Sequence, residues 1–258
     1  SGGVLVDQMV KFAGQNVGLS LAVSIGNKAV VRELDLLTYL SQHTATRVIA
    51  FYVEGFEKNE GRTFVQAASR CGKPVIVLKA GKSALGSRAV SSHTASLAGD
   101  YTVFSQVLTQ YGIVEARDEF EMVSFCESLS CYQRSISGRV GIITASGGHG
   151  VIAVDTCSAH GLTVPQLNSD IERDIRKHLS VSVQPIASLG NPLDLTGSAV
   201  DEDFIASATG LSASPDIDCV LILLLPYSPG ISSDIGARLG HVYQKEGKPL
   251  VAYVPHEE

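Results

Sequence analysis

Tryptophan is absent from this 258-residue chain, and aromatic residues make up only 6% of it. Such a composition fits poorly with a carbohydrate-binding or base-stacking surface, because those are built from exposed rings. Cysteine is scarce as well. The five residues Cys71, Cys126, Cys131, Cys157 and Cys219 form no C-x-x-C pair. An odd number without paired spacing reads as reduced, mostly buried thiols of a cytoplasmic protein rather than a disulfide framework. Positive charge is also short: 20 Lys and Arg against 26 Asp and Glu leave a net charge of −6. A nucleic-acid surface needs clustered cations, so that class of partner is excluded. The longest apolar run, Cys219 to Leu225, has the length of a buried strand. A membrane helix needs about 20 such residues, so no span is expected. No basic, apolar-cored leader opens the sequence. The histidines show no ligand spacing such as H-x-x-x-H, and no metal site is expected.

What is present is core material: 45% hydrophobic residues and a mean hydropathy of +0.19. Short β-branched runs at 20–24, 47–53, 74–78, 138–144, 218–224 and 249–254 read as strands. Amphipathic stretches at 4–13, 33–42, 62–70, 101–111, 119–132, 151–160, 169–178, 202–211 and 233–244 read as helices. This alternation predicts an α/β fold of doubly wound, mainly parallel sheets joined by right-handed crossovers. The pattern restarts after Ser135-Ile136-Ser137-Gly138. Two domains follow, residues 1–136 and residues 137–258. The halves echo each other: Ser146-Gly147-Gly148 precedes an apolar helix, as Ser1-Gly2-Gly3 precedes Val4 to Asp7. If the echo is a repeat, a strand belongs before Ser1, and the first domain lacks it in this chain. The chain is then expected to be a fragment of a longer protein.

Three places carry chemistry. His93 lies among small and hydroxylated residues after the strand at 74–78 and before a helix near Asp100. It is expected on an accessible loop at the carboxyl edge of the sheet, where open α/β folds bind ligands. Glu54 ends the apolar strand at 47–53 and shares that edge. A carboxylate accepting an imidazole N–H fixes the tautomer and makes the other nitrogen more nucleophilic. The two Ser-Gly-Gly turns offer unpaired amides at a helix N-terminus, where an anion is favoured. Each feature alone has a plain alternative: a surface histidine, a strand-end glutamate, a glycine packing turn.

Together they resemble a family. Val23-Ser24-Ile25-Gly26-Asn27-Lys28-Ala29, Val77-Leu78-Lys79-Ala80-Gly81-Lys82, Ser92-His93-Thr94-Ala95-Ser96-Leu97-Ala98-Gly99, Ser146-Gly147-Gly148-His149-Gly150 and Gly190-Asn191-Pro192-Leu193-Asp194-Leu195 are similar, in order, to motifs of the NDP-forming acyl-CoA synthetases, relatives of succinyl-CoA synthetase. The resemblance implies two flavodoxin-like domains. It implies a reaction in which acyl-CoA and phosphate give an acyl phosphate and CoA, and the phosphoryl group passes to a histidine and then to ADP. His93 matches the phosphorylated histidine and Glu54 the glutamate that steadies it. Ser1, Gly2 and Gly3, with Ser146, Gly147 and Gly148, match the paired helix starts that bind the phosphate. Such starts suit a phosphohistidine, which carries about two negative charges and needs preorganised donors.

The resemblance also implies CoA and ATP or ADP with Mg2+ in the complete enzyme, none of them bound obligatorily by this segment alone. A CoA-binding domain, an ATP-grasp domain and a small-molecule acyl substrate are the implied partners, within a homo- or hetero-oligomer. Ala95 stands where the family has glycine, and His149 where proline is common. Lys79 and Arg88 flank the histidine motif and read as anion-attracting or solubilising charges. Two other uses of such a module are an acyl-CoA-sensing region of a protein lysine acetyltransferase and a non-catalytic two-lobed binding module. A purely regulatory copy could lose the pair His93 and Glu54, and a binding module needs no reactive histidine.

Overall fold

The computed structural model describes residues 18–93, 100–132, 135–225 and 227–254, with residues 91–93 described as backbone only. The chain forms two compact units, Ser1–Gln133 and Arg134–Glu258.

In the first unit, β1 (Ile49–Val53), β2 (Val75–Lys79) and β3 (Val114–Ala116) form a parallel sheet in the order β1-β2-β3. Val53 pairs with Lys79 and Leu78 with Ala116, so the three strands end together at one carboxyl edge. Side chains alternate between faces, as a pleated strand requires. Ile49, Phe51, Val53, Val75 and Val77 meet Leu37 of α1 (Glu33–Gln42), Phe64 of α2 (Glu60–Ala68) and Leu108 of α4 (Tyr101–Gln110). Ile76, Leu78 and Ala116 face the opposite way, onto Met122 of α5 (Glu119–Cys131). Helices therefore cover both faces. Burying one phenylalanine as completely as Phe64 stabilises by about 1.5–3 kcal/mol.

Two sequence expectations change here. The run at 20–24 is irregular backbone, and Leu19, Leu21 and Val23 are exposed. A strand needs a ladder partner, and β1 pairs only with β2 among the described residues. At the edge of the sheet among the described residues, β1 leaves Ala50 exposed and Tyr52 half-buried, whereas central β2 is buried throughout. Most important for the site, His93 does not lie on a loop. It is the last residue of α3 (Ala84–His93), a helix that the sequence pattern did not reveal. Its small residues read as loop but serve a close approach: a Cβ on Gly86 would lie 3.2 Å from the Gly81 Cα. The Ser83 hydroxyl starts the helix by accepting the Gly86 N–H at 3.0 Å.

The second unit contains a four-stranded parallel sheet in the order β5 (Leu193–Asp194), β4 (Val140–Thr144), β6 (Cys219–Leu223) and β7 (Leu250–Tyr253). One face, including Ile143, Val220 and Ile222, packs on Ile175 of α7 (Ser169–His178), Phe204 of α8 (Asp201–Ala213) and Leu239 of α9 (Ile235–Glu246). The other face, Val140 and Ile142, packs on Ala153 and Cys157 of α6 (Gly147–Ala159). Central β4 is buried at every residue, as a strand covered on both sides must be. The short strands β3 and β5 escaped the sequence pattern because a run of two or three residues shows no period. No helix of the described residues is long and apolar enough to cross a membrane.

Candidate functional site

Glu54 follows β1 directly, at the carboxyl edge of the first sheet. The ladder continues one step past the strands: the Ala80 N–H donates to the Val53 carbonyl at 2.9 Å. Glu54 is half-buried and hydrogen-bonded to Tyr52, two residues earlier on the same face of the strand. Burial chiefly, and then the Glu54 charge, push the Tyr52 phenol above its ordinary value.

Lys79, at the end of β2, is the neighbour that the sequence undervalued. Read as a flanking charge, it proves buried, with its Nζ donating to the Glu54 carbonyl at 2.8 Å and to the Ala80 carbonyl. Burial lowers its proton affinity, an effect that the Glu54 charge opposes. Lys82 similarly donates to the carbonyls of Ala116 and Arg117, at 3.0 and 3.1 Å, beyond the end of β3. Glu115 lies 3.8 Å from Lys82 and accepts the Ser105 hydroxyl at 2.7 Å. Cations thus satisfy carbonyls that the parallel ladder leaves free at this edge, and Lys79 sets positive charge near Glu54. Arg88, the other flanking cation, is exposed on α3.

From this edge the chain runs through α3 to His93. The His93 side chain and residues 94–99 lie outside the described residues. The helix after them, α4, is capped by Asp100, whose carboxylate accepts the Thr102 and Val103 N–H groups at 2.8 and 3.4 Å. Ser1, Gly2 and Gly3 also lie outside the described residues.

In the second unit, Ser146 is the N-cap of α6, and Gly147 and Gly148 form its first turn. The sequence pattern started this helix at Val151, because glycines read as turn. The Ser146 hydroxyl makes no capping bond to the helix, and Gly147, Gly148 and His149 are exposed. The first-turn amides therefore have no side-chain cap, which suits an anion. The two glycines differ. A Cβ on Gly147 would fall 2.7 Å from Asp194 Oδ2, whereas one on Gly148 would meet nothing within 4 Å. The Asp194 carboxylate occupies one side of this helix end, and the Gly148 side is open. Asp194 also accepts the Thr196 N–H at 3.0 Å and so holds the turn after Asn191-Pro192. A cavity of about 260 Å³ opens between Gly147, Val151, Pro192 and Asp194. Among the described residues, no cluster of three His, Cys, Asp or Glu side chains stands ready to hold a metal ion.

Residues 1–129 match the succinyl-CoA ligase like flavodoxin domain, and residues 140–227 match the ligase-CoA domain. The chain belongs to the NDP-forming acyl-CoA synthetase family. Within that family it is 37% identical over 227 residues to an acetate–CoA ligase [ADP-forming] I of Archaeoglobus fulgidus, a match covering 87% of this chain and 32% of the relative. It is 34% identical to the alpha subunit of acetate–CoA ligase [ADP-forming] II of Pyrococcus furiosus, covering 90% of this chain and 50% of that subunit. The dinucleotide-forming acetyl-coenzyme A synthetase 1 of Ca. Korarchaeum cryptofilum, solved in complex with phosphate and ADP, superposes with a TM-score of 0.86 at 29% identity. That match covers 99% of this chain and 55% of the synthetase. The chain thus spans between a third and about half of the length of these family members.

Proposed function

We propose that this chain is the phosphohistidine-bearing part of an NDP-forming acyl-CoA synthetase, one that interconverts acyl-CoA, ADP and phosphate with a carboxylic acid, CoA and ATP. The match of the two units, in order, to the paired ligase domains of this family carries the reading. In the acyl-CoA to ATP direction, phosphate attacks the thioester carbonyl and CoA leaves as the thiol, giving an acyl phosphate. An imidazole nitrogen of His93 then takes the phosphoryl group, releasing the carboxylate. The P–N bond breaks in turn as an ADP oxygen takes the phosphoryl group to give ATP.

Each chain residue has a defined task in this sequence. Glu54 holds the second imidazole nitrogen and balances the positive charge that develops as the ring becomes phosphorylated. Ser146, Gly147 and Gly148 place the first-turn amides of α6 against the phosphoryl oxygens, and Ser1, Gly2 and Gly3 do the same from the first unit. Such donors favour the transferring phosphoryl group without having to reorganise. Two helix ends together contribute on the order of 1–4 kcal/mol. CoA and the nucleotide with its Mg2+ bind to a CoA-binding domain and an ATP-grasp domain, in the same protein or a second subunit, and the assembly works in the cytoplasm. No residue of this chain is assigned to the metal.

The test uses the full-length enzyme, incubated with Mg2+ and ATP labelled in its γ-phosphate. Acid-labile, alkali-stable label is expected on the wild type and absent from His93→Ala. Label that persists in the variant, or none on the wild type, overturns the assignment.

A further inference from the structure

The turn that carries Glu54 is held by two ammonium groups. Past the end of β1 the carbonyls of Glu54 and Gly55 are consecutive, and each accepts a proton from a lysine on a different segment. Lys79 Nζ, from the last residue of β2, donates to the Glu54 carbonyl at 2.8 Å. Lys28 Nζ, from the loop before α1, donates to the Gly55 carbonyl at 2.5 Å. Lys28 also pairs with Glu33, and Lys79 bonds its own neighbour Ala80. Both cations lie over aromatic rings: Lys79 is 5.8 Å from the Phe104 ring and Lys28 is 5.9 Å from the Phe56 ring. The two rings stack with centroids 6.2 Å apart.

This arrangement is more than packing. Lys79 is only 5% exposed, and an ammonium at such a place loses most of its hydration. A methionine would fill the same volume without that cost. What the cation adds is a rigid backbone at Glu54 and a positive charge close enough to interact with its carboxylate. A group that must meet an imidazole within hydrogen-bond reach gains from both, because misplacement by about an ångström is enough to slow a reaction strongly. Resting on the reading of Glu54 as the partner of His93, we propose that Lys79 and Lys28 are positioning residues that act through Glu54. They clamp the Glu54–Gly55 turn so that the carboxylate is presented to the histidine in one place.

A double-mutant cycle in the full-length enzyme tests this, read as the rate of phosphohistidine formation from γ-labelled ATP. Lys79→Met is expected to slow the rate by about tenfold, equivalent to about 1.4 kcal/mol of barrier, with the KM for ATP nearly unchanged. Glu54→Gln is expected to slow it as well. If the lysine acts through the carboxylate, the double variant is no slower than Glu54→Gln alone. Effects that multiply, or a wild-type rate in Lys79→Met, overturn the clamp. A wild-type rate in Glu54→Gln removes the role of Glu54 itself, and the clamp with it. Should Lys79→Met fail to fold, Lys28→Met carries the same cycle, since the Lys28 side chain is 19% exposed and tolerates replacement better.

Discussion

Replacing Asn191 should damage the second unit out of proportion to the size of the change. Its side chain is buried and makes three hydrogen bonds: it accepts the Ile142 N–H at 2.9 Å, and donates to the Val140 carbonyl at 2.8 Å and the Pro165 carbonyl at 3.0 Å. Strand β5 pairs with β4 only at Ile143 and Thr144, so Asn191 stands in for a strand beside the earlier half of β4. Asn191→Ala would orphan one buried N–H and leave two carbonyls short of a partner. A stranded buried donor costs about 1–3 kcal/mol. Carbonyls keep a second lone pair and cost less, so the expected total is about 3 kcal/mol. For a unit of this size that lowers the melting temperature by roughly 10 °C. Chemical denaturation should show the loss, and hydrogen exchange should show faster exchange of the Ile142 amide than of amides on the β6 side of β4. A loss below about 1 kcal/mol, or an Ile142 amide as protected as in the wild type, would refute the reasoning. The consequence bears on the proposed phosphate site, since β4 leads directly to Ser146, Gly147 and Gly148.

Two further predictions concern the same unit. Gly147→Ala sets a methyl group 2.7 Å from Asp194 Oδ2 and should cost about 1 kcal/mol in denaturant titrations, a loss that a second change, Asp194→Ala, relieves; an unchanged midpoint in both variants would contradict the contact. Asp218 receives two guanidinium bonds and the backbone N–H of Arg139, at 2.7–3.0 Å, and these hold its carboxyl below the ordinary value of 3.8. As pH falls, the unfolded chain takes up that proton first. The stabilisation is therefore complete above pH 3.8 and is lost as pH falls through the lowered native value. Asp218→Asn should be less stable than the wild type at neutral pH and lose less on acidification, and parallel acid limbs would count against the pair.

The central strands and long helices were legible because period-2 and period-3.6 patterns reflect local geometry that any core-facing element must show. The two units divide between Gln133 and Arg134, just before residues 135–138, where the alternation restarts. The edge elements were not legible. Residues 20–24 have strand composition, yet a strand exists only where a neighbour completes its ladder. In α3, Ser and Gly mimic a loop, and only the approach of Gly86 to Gly81 explains them as helix.

The site divides in the same way. Residue identity and order alone marked His93, Glu54 and the two Ser-Gly-Gly turns, because their chemistry belongs to the side chain or to glycine itself. Nothing local distinguished Lys79 from a solubilising surface charge, or Asn191 from a turn residue. Their meaning depends on which carbonyls and amides face them from segments 25 to 51 residues away. Burial then makes each of those bonds obligatory, because a buried polar group left without water needs a partner. Sequence determined which groups could do chemistry; tertiary packing decided which of them are held in place to do it.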